Sequence, residues 1–204
     1  MNWTPETLTD EIVEASVEAN MLKLEPRFGE LTTLLSRAEC ILQSDEDPGQ
    51  RLIEVREIRD EVAAIASTVA ACRAGCSHCC HMAVGITSSD AAKIGEHLGI
   101  TPEKPRMQLD PSGNIDKYMN VPCPFLKKKH CTIYEVRPSA CRTHYNVSDY
   151  PEVCDTLNFP GRDVPSLDMR PIWTAEGLLS FQDGQTHADI RDFFPEGATP
   201  TQRL

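Results

Sequence analysis

Eight of the nine cysteines in this 204-residue chain fall between positions 72 and 154, as Cys72-x3-Cys76-x2-Cys79-Cys80 followed by Cys123, Cys131, Cys141 and Cys154. Buried, inert cysteine does not account for them, because Cys76, Cys79 and Cys80 sit among Gly75, Ser77 and His78, a loop composition. A disulfide framework is disfavoured as well. The N-terminus, MNWTPETLTDEIVEASVEAN, is acidic and amphipathic and reads as neither a secretory nor a mitochondrial signal, so a cytoplasmic, reducing location is expected. Nine is also an odd number. Metal ligation remains: neighbouring thiolates repel one another, and a divalent ion or an iron–sulfur cluster removes that cost while fixing the loop. Cys40 stands apart on a predicted helix and is expected to be ordinary core.

Eight thiolates make two sets of four. Adjacent residues such as Cys79 and Cys80 point in different directions, which suggests two metals, or one polynuclear site, with ligands shared between the two halves of the motif. All-thiolate coordination suits zinc and iron–sulfur clusters alike. Spacings of 7, 9 and 12 residues fit no common zinc module, and Pro124 after Cys123 resembles the Cys-Pro of bacterial ferredoxins, so both cofactors stay open. His78, His81, His130 and His144 each lie within three residues of a cysteine and are further candidate donors, although eight thiolates already suffice.

Charge follows the cysteines. Residues 1–71 carry 6 basic and 15 acidic side chains, residues 146–204 carry 4 and 10, and residues 72–145 carry 10 and 6. The one positive stretch is therefore the one rich in cysteine, where Lys and Arg can offset thiolate charge. A net charge of -11 argues against nucleic acid and anionic membranes as partners. The run Lys127-Lys128-Lys129 reads as a solvated loop. No apolar run reaches the roughly 18 residues of a membrane span.

The fold class predicted is mainly α: N-terminal helices over 1–71, a loop-rich metal-binding core over 72–154, and an irregular C-terminal segment over 155–204 packed on the same domain. Leu8, Ile12, Val13, Val17 and Met21 mark a first helix that Pro26 closes, and a second is expected over Phe28–Leu42. Asp47-Pro48 reads as an N-cap with proline at the first helical position, opening a long helix through Leu52, Val55, Ile58, Val62, Ile65, Ala66 and Val69 that delivers the chain to Cys72. Thr87 to Asp90 cap a helix over Ala91–Leu98 that Gly99 stops. Residues 101–121 read as a loop, and a short helix limited by Pro138 is expected from Ile133 to Cys141. Six prolines after residue 150 predict irregular structure with a small hairpin near Gly177–Phe181.

The run Cys72-Arg-Ala-Gly-Cys76-Ser-His-Cys79-Cys80, with Pro122-Cys123-Pro-Phe-Leu126 and Cys131-Thr-Ile-Tyr-Glu-Val-Arg137-Pro-Ser-Ala-Cys141-Arg142, resembles the bacterial CxxCxxCC proteins. These are also described as the YkgJ-type cysteine cluster or zinc- or iron-chelating domain. The resemblance covers roughly residues 72–154 and implies a metal-chelating domain whose metal is open. Some relatives are similar to flagellin lysine methylases, which join such a cluster to methyl transfer, but this chain is short for such an enzyme and lacks a Gly-rich strand-to-helix turn.

The leading expectation is a cytoplasmic binding protein that chelates zinc or an iron–sulfur cluster through Cys72, Cys76, Cys79, Cys80, Cys123, Cys131, Cys141 and Cys154. Arg137 and Arg142 are expected to donate charge-assisted hydrogen bonds near the thiolates. Two alternatives stay open. One is a cluster-dependent enzyme, since Cys72-x3-Cys76-x2-Cys79 has the spacing of radical S-adenosylmethionine enzymes, although a helix rather than a strand precedes it. The other is a zinc-stapled module whose acidic helices bind a basic protein partner.

Overall fold

The computed structural model describes residues 3–73, 75–105 and 115–195. Helices dominate it, and the first three lie where the apolar periodicity predicts. Helix α1 (Asp10–Leu24) passes through a 3-10 turn at Glu25–Arg27, which contains Pro26, into α2 (Phe28–Leu42). Helix α3 (Pro48–Ala66) opens with the Asp47 carboxylate accepting from the Gln50 amide at 3.1 Å. Pro48 fills the first turn, where a missing amide costs nothing.

Cys40 corrects its expectation. The buried stripe of α2 is Leu31, Leu34 and Ala38, and Cys40 lies two residues off it, about 200° round the helix, and is exposed. The C-terminal segment departs further. Instead of irregular chain and a hairpin near 177–181, residues Arg170–Gln182 form helix α6. Pro171 stands in the first turn, where proline favours a helix, and Ile172, Ala175 and Leu179 recur at helical spacing. This helix completes a three-helix bundle with α2 and α3 around Leu34, Val55, Ile58, Val62, Ile172 and Leu179.

A second layer carries most of the cysteines. Strand β1 (Gly85–Thr87) leads into α4 (Ser88–Leu98), which starts with a capping box between Thr87 and Asp90 and ends on Gly99 at φ +68°. The hairpin of β2 (Leu126–Lys127) and β3 (His130–Cys131) turns through Lys128 and Lys129, both at positive φ, and places the three-lysine run in a solvent-facing turn. The helix expected from Ile133 to Cys141 is split at Pro138 into a 3-10 turn at Tyr134–Val136 and α5 (Ser139–Thr143). Residues 106–114 of the expected 101–121 loop lie outside the described residues.

Strand β4 (His187–Asp189) pairs antiparallel with β1, Gly85 opposite Asp189, and continues into α7 (Ile190–Phe193). Its residues Ala188, Ile190 and Phe193 join Ile86, Ile94, Phe125 and Ile133 in a second core, against which Cys123, Cys131 and Cys141 pack. Among the described residues no helix is long and apolar enough to cross a membrane.

An ion pair buried at this junction ties the layer together. The Asp189 carboxylate accepts from the Val84 amide at 2.7 Å and from Arg191 Nη1 at 2.9 Å. The Arg191 guanidinium also donates to the carbonyls of Met82, at 3.1 Å, and of Val121. One side chain thus holds the loop after Cys80 and the loop before Cys123. Removing one partner of a buried pair leaves the other charge uncompensated and costs about 3–5 kcal/mol. Asp189→Ala is expected to lower unfolding stability by about that much in urea titrations, and a loss under about 1 kcal/mol, the scale of a surface pair, would show that the clamp bears little load.

Candidate metal centre

The cysteine segments are brought together by backbone contacts. Helix α3 ends at Ala66, and the chain reaches Cys72 through Ala71, whose amide donates to the Asn146 carbonyl at 2.8 Å. Gly75, at φ +90°, turns the chain between Cys72 and Cys76 with a conformation that a side chain would strain. Cys79 and Cys80 then lie in a 3-10 turn, His78–His81, which packs against a second such turn, Pro151–Cys154. From the other side the Cys123 amide donates to the Cys80 carbonyl, and the Asn120 amide to the His81 carbonyl, each at 2.7 Å.

Around the Cys79–Cys80 turn the thiols form two electrostatic neighbourhoods. Cys76 is held above its ordinary pKa by burial and then by Cys79 and Cys72, and Cys154 by burial and then by Cys72, Cys79 and Cys76. On the other side Cys141 is raised by burial and then by Cys79, Cys123 and Cys131, and Cys123 is pushed up to about 11 mainly by burial. Cys79 belongs to both groups. Its hydrogen bond with the Cys80 thiol is the largest of the effects that raise its pKa, ahead of burial. Cys72 and Cys131 are raised mainly by burial, with Cys79 adding to it.

The donor chemistry fits a soft metal. These sulfurs are half-buried, and that of Cys154 buried, so partial loss of water favours the protonated form until a cation makes the thiolate favourable. Among the described residues no three His, Cys, Asp or Glu side chains are disposed around one point as metal ligands are. Arg137 draws down the pKa of Cys72, Cys79, Cys131 and Cys141 against the burial that raises them, as Arg73 does for Cys76 and Arg191 for Cys123. The Arg137 Nε donates to the Tyr134 carbonyl at 3.2 Å. Arg142 donates to the carbonyls of Arg137 and Glu135, so its resolved hydrogen bonds go to backbone rather than to sulfur.

The four nearby histidines differ in setting. His130 is exposed and bonds the Lys128 carbonyl at 2.8 Å, while His78 faces the Asp155 carboxylate at 3.5 Å. His144 has its pKa lowered by burial, and its carbonyl accepts a long contact from Cys72 Sγ at 3.8 Å. His81 contributes its carbonyl to the Asn120 amide.

Two supporting residues escaped the sequence reading. Arg191 braces the Cys80 and Cys123 loops from the C-terminal segment. Asn146, wholly buried, bonds Ser148 and the Tyr150 carbonyl and bears on both Cys72 and Cys154 through weak hydrogen bonds that favour their ionised forms. The only sequence hint of either was polarity near a cysteine or an apolar run.

No curated protein and no solved structure matches the chain. Residues 71–157 match the model of one family, CxxCxxCC, described as a putative zinc- or iron-chelating domain. The match starts one residue before Cys72 and ends three residues after Cys154, so it encloses both thiol neighbourhoods and leaves the bundle helices α1, α2, α3 and α6 outside. The cysteine-bearing segment of this protein is thus similar to the CxxCxxCC family, over about two fifths of the chain.

Proposed function

We propose that the protein chelates zinc or iron in two four-thiolate sites that meet at the Cys79–Cys80 turn. One site takes Cys72, Cys76 and Cys154 with one member of that pair, and the other takes Cys123, Cys131 and Cys141 with its neighbour. The observation that carries this reading is that Cys123, Cys131 and Cys141 pack together against the second core, whereas the turn that ends on Cys154 packs against the Cys79–Cys80 turn from the other side. Four sulfurs per site is the number a closed tetrahedral zinc site uses, and also the number that anchors an iron–sulfur cluster. A closed, all-thiolate shell leaves no open position for a water nucleophile, which favours holding or transferring a metal, or carrying an electron, over metal-assisted hydrolysis. Arg137 supports the assignment as the cation acting on thiols of both groups.

Metal content per chain and an ultraviolet–visible spectrum, on protein purified without oxygen, test this directly. About two zinc ions and no visible absorption, or iron with acid-labile sulfide and a broad band in the visible, are the two outcomes that agree with it. Protein that stays folded with neither metal would refute it.

Single substitutions test the division. Cys76→Ser and Cys131→Ser are each expected to remove about half of the bound metal, because each empties one site and leaves the other's four sulfurs intact. If either change empties both sites, the ligands form one polynuclear centre instead of two separate ones.

A further inference from the structure

A cleft of about 520 Å³ opens beside the CxxCxxCC segment, between α3, α4 and the stretch from Glu135 to Arg142. Its volume falls in the range that small organic ligands occupy. Five of the chain's 20 basic Lys and Arg residues line it: Arg56, Arg59, Lys93, Arg137 and Arg142. Four carboxylates, those of Asp60, Asp90, Glu96 and Glu135, share the lining.

Two of the five are already neutralised. Arg56 pairs with Asp90 at 3.2 Å and Arg59 with Asp60 at 2.9 Å, and Glu176 lies near both guanidiniums, at 3.7 and 3.1 Å. The other three have no carboxylate within ion-pair distance among the described residues. Two of those three are nonetheless held in place. Arg142 is fixed by its bonds to the carbonyls of Arg137, at 2.8 Å, and Glu135, at 2.7 Å, and Arg137 is stacked 3.7 Å from the Tyr134 ring centre. Guanidiniums anchored through backbone carbonyls, with their remaining donors unspent, are preorganised for an oxyanion. Lys93 lines the same cleft, where burial and then the like charges of Arg56, Arg59 and Arg142 depress its pKa, so an anion there relieves a repulsion already present.

Charge sets the ligand class. Glu96 and Glu135 set two carboxylates against the three unpaired cations, so donor geometry decides: two fixed guanidinium forks and an ammonium match the several oxygens of a phosphate monoester, which carries about -1.5 to -2 near neutral pH, better than the two of one carboxylate. The cleft is larger than the phosphate group alone, and Glu96 and Glu135 also line it, able to accept from hydroxyl groups on the rest of the molecule. We propose that this cleft binds a small organic phosphate, with its phosphoryl group among Lys93, Arg137 and Arg142.

Calorimetric titration of the full chain, with metal content measured on the same sample, tests this using glycerol 3-phosphate, inorganic phosphate and succinate. One-to-one binding of glycerol 3-phosphate is expected, weakened roughly tenfold by Lys93→Gln and lost with Lys93→Glu, as removal and reversal of a charged hydrogen-bond donor require. Lys127→Gln, on the β2–β3 hairpin outside the cleft, is expected to bind as the parent does. No binding in the millimolar range, tighter binding of succinate than of either phosphate, or Lys93→Glu binding like the parent would each overturn the proposal. Lys93 is none of the proposed metal ligands, and metal content and phosphate binding are measured on one sample, so a failure of either proposal is distinguished from a failure of the other.

Discussion

Seven of the eight clustered thiols are less acidic in the fold than they would be in water, because burial strips them of solvent and the chain sets sulfur beside sulfur. Nothing in the apolar cores explains why a chain would tolerate that arrangement. A soft cation resolves it by stabilising thiolate, and the binding free energy then counts toward folding. Much of the second layer can be understood as scaffolding that keeps the sulfurs near one another before any such ion arrives. The Cys123 amide on the Cys80 carbonyl, the Ala71 amide on the Asn146 carbonyl, and Arg191 across two loops all fix backbone rather than side chains.

The helical bundle serves the same end at longer range. The 3-10 turns and two- or three-residue strands that hold the cysteines have little stability of their own, since short ladders and turns bury too little to fold alone. The bundle supplies the anchorage. Helix α3 ends just ahead of Cys72, and α1 reaches the segment after Cys141 through Asn20, whose Nδ2 donates to the Val147 carbonyl at 2.9 Å and to Asp149 at 3.0 Å. Helix α6 closes the bundle, and the chain beyond it returns to the cysteine layer as β4 and α7. The acidic N-terminal helices thus have a packing role that needs no external partner to account for it.

What was legible in the sequence followed local physics. The Asp47-Pro48 start, the Thr87–Asp90 capping box and the Gly99 stop each depend on residues within a few positions, and the fold has all three. The cysteine spacing was legible because no other role suits so many thiols on a loop. Helix α6 is hard to read from the sequence because proline density suggests disruption, whereas Pro171 sits in the first turn, where a missing amide costs no helical hydrogen bond. Cys40 was misplaced because a cysteine on a helix reads as core until the stripe of its neighbours is drawn. The β1–β4 pairing and the Asp189–Arg191 clamp join residues about a hundred positions apart, and strands of three residues carry no periodicity to announce them.

Arg137 links the two proposed sites and sets the sign of their coupling. It acts on Cys72 and Cys79 of one group, on Cys131 and Cys141 of the other, and lines the charged cleft. A divalent ion held by four thiolates leaves about two negative charges on the site, which this guanidinium helps to balance. A phosphate in the cleft would draw on the same positive charge, so each ligand weakens the other by an equal factor, as linkage requires. Salt at physiological strength screens over about 8 Å, so the effect is confined to groups as close as these. Metal transfer to a chelator should therefore proceed further in glycerol 3-phosphate than in chloride of equal ionic strength, and the difference should vanish in Lys93→Glu. Equal transfer in both media for the parent protein would mean that Arg137 balances the thiolates without also serving the cleft.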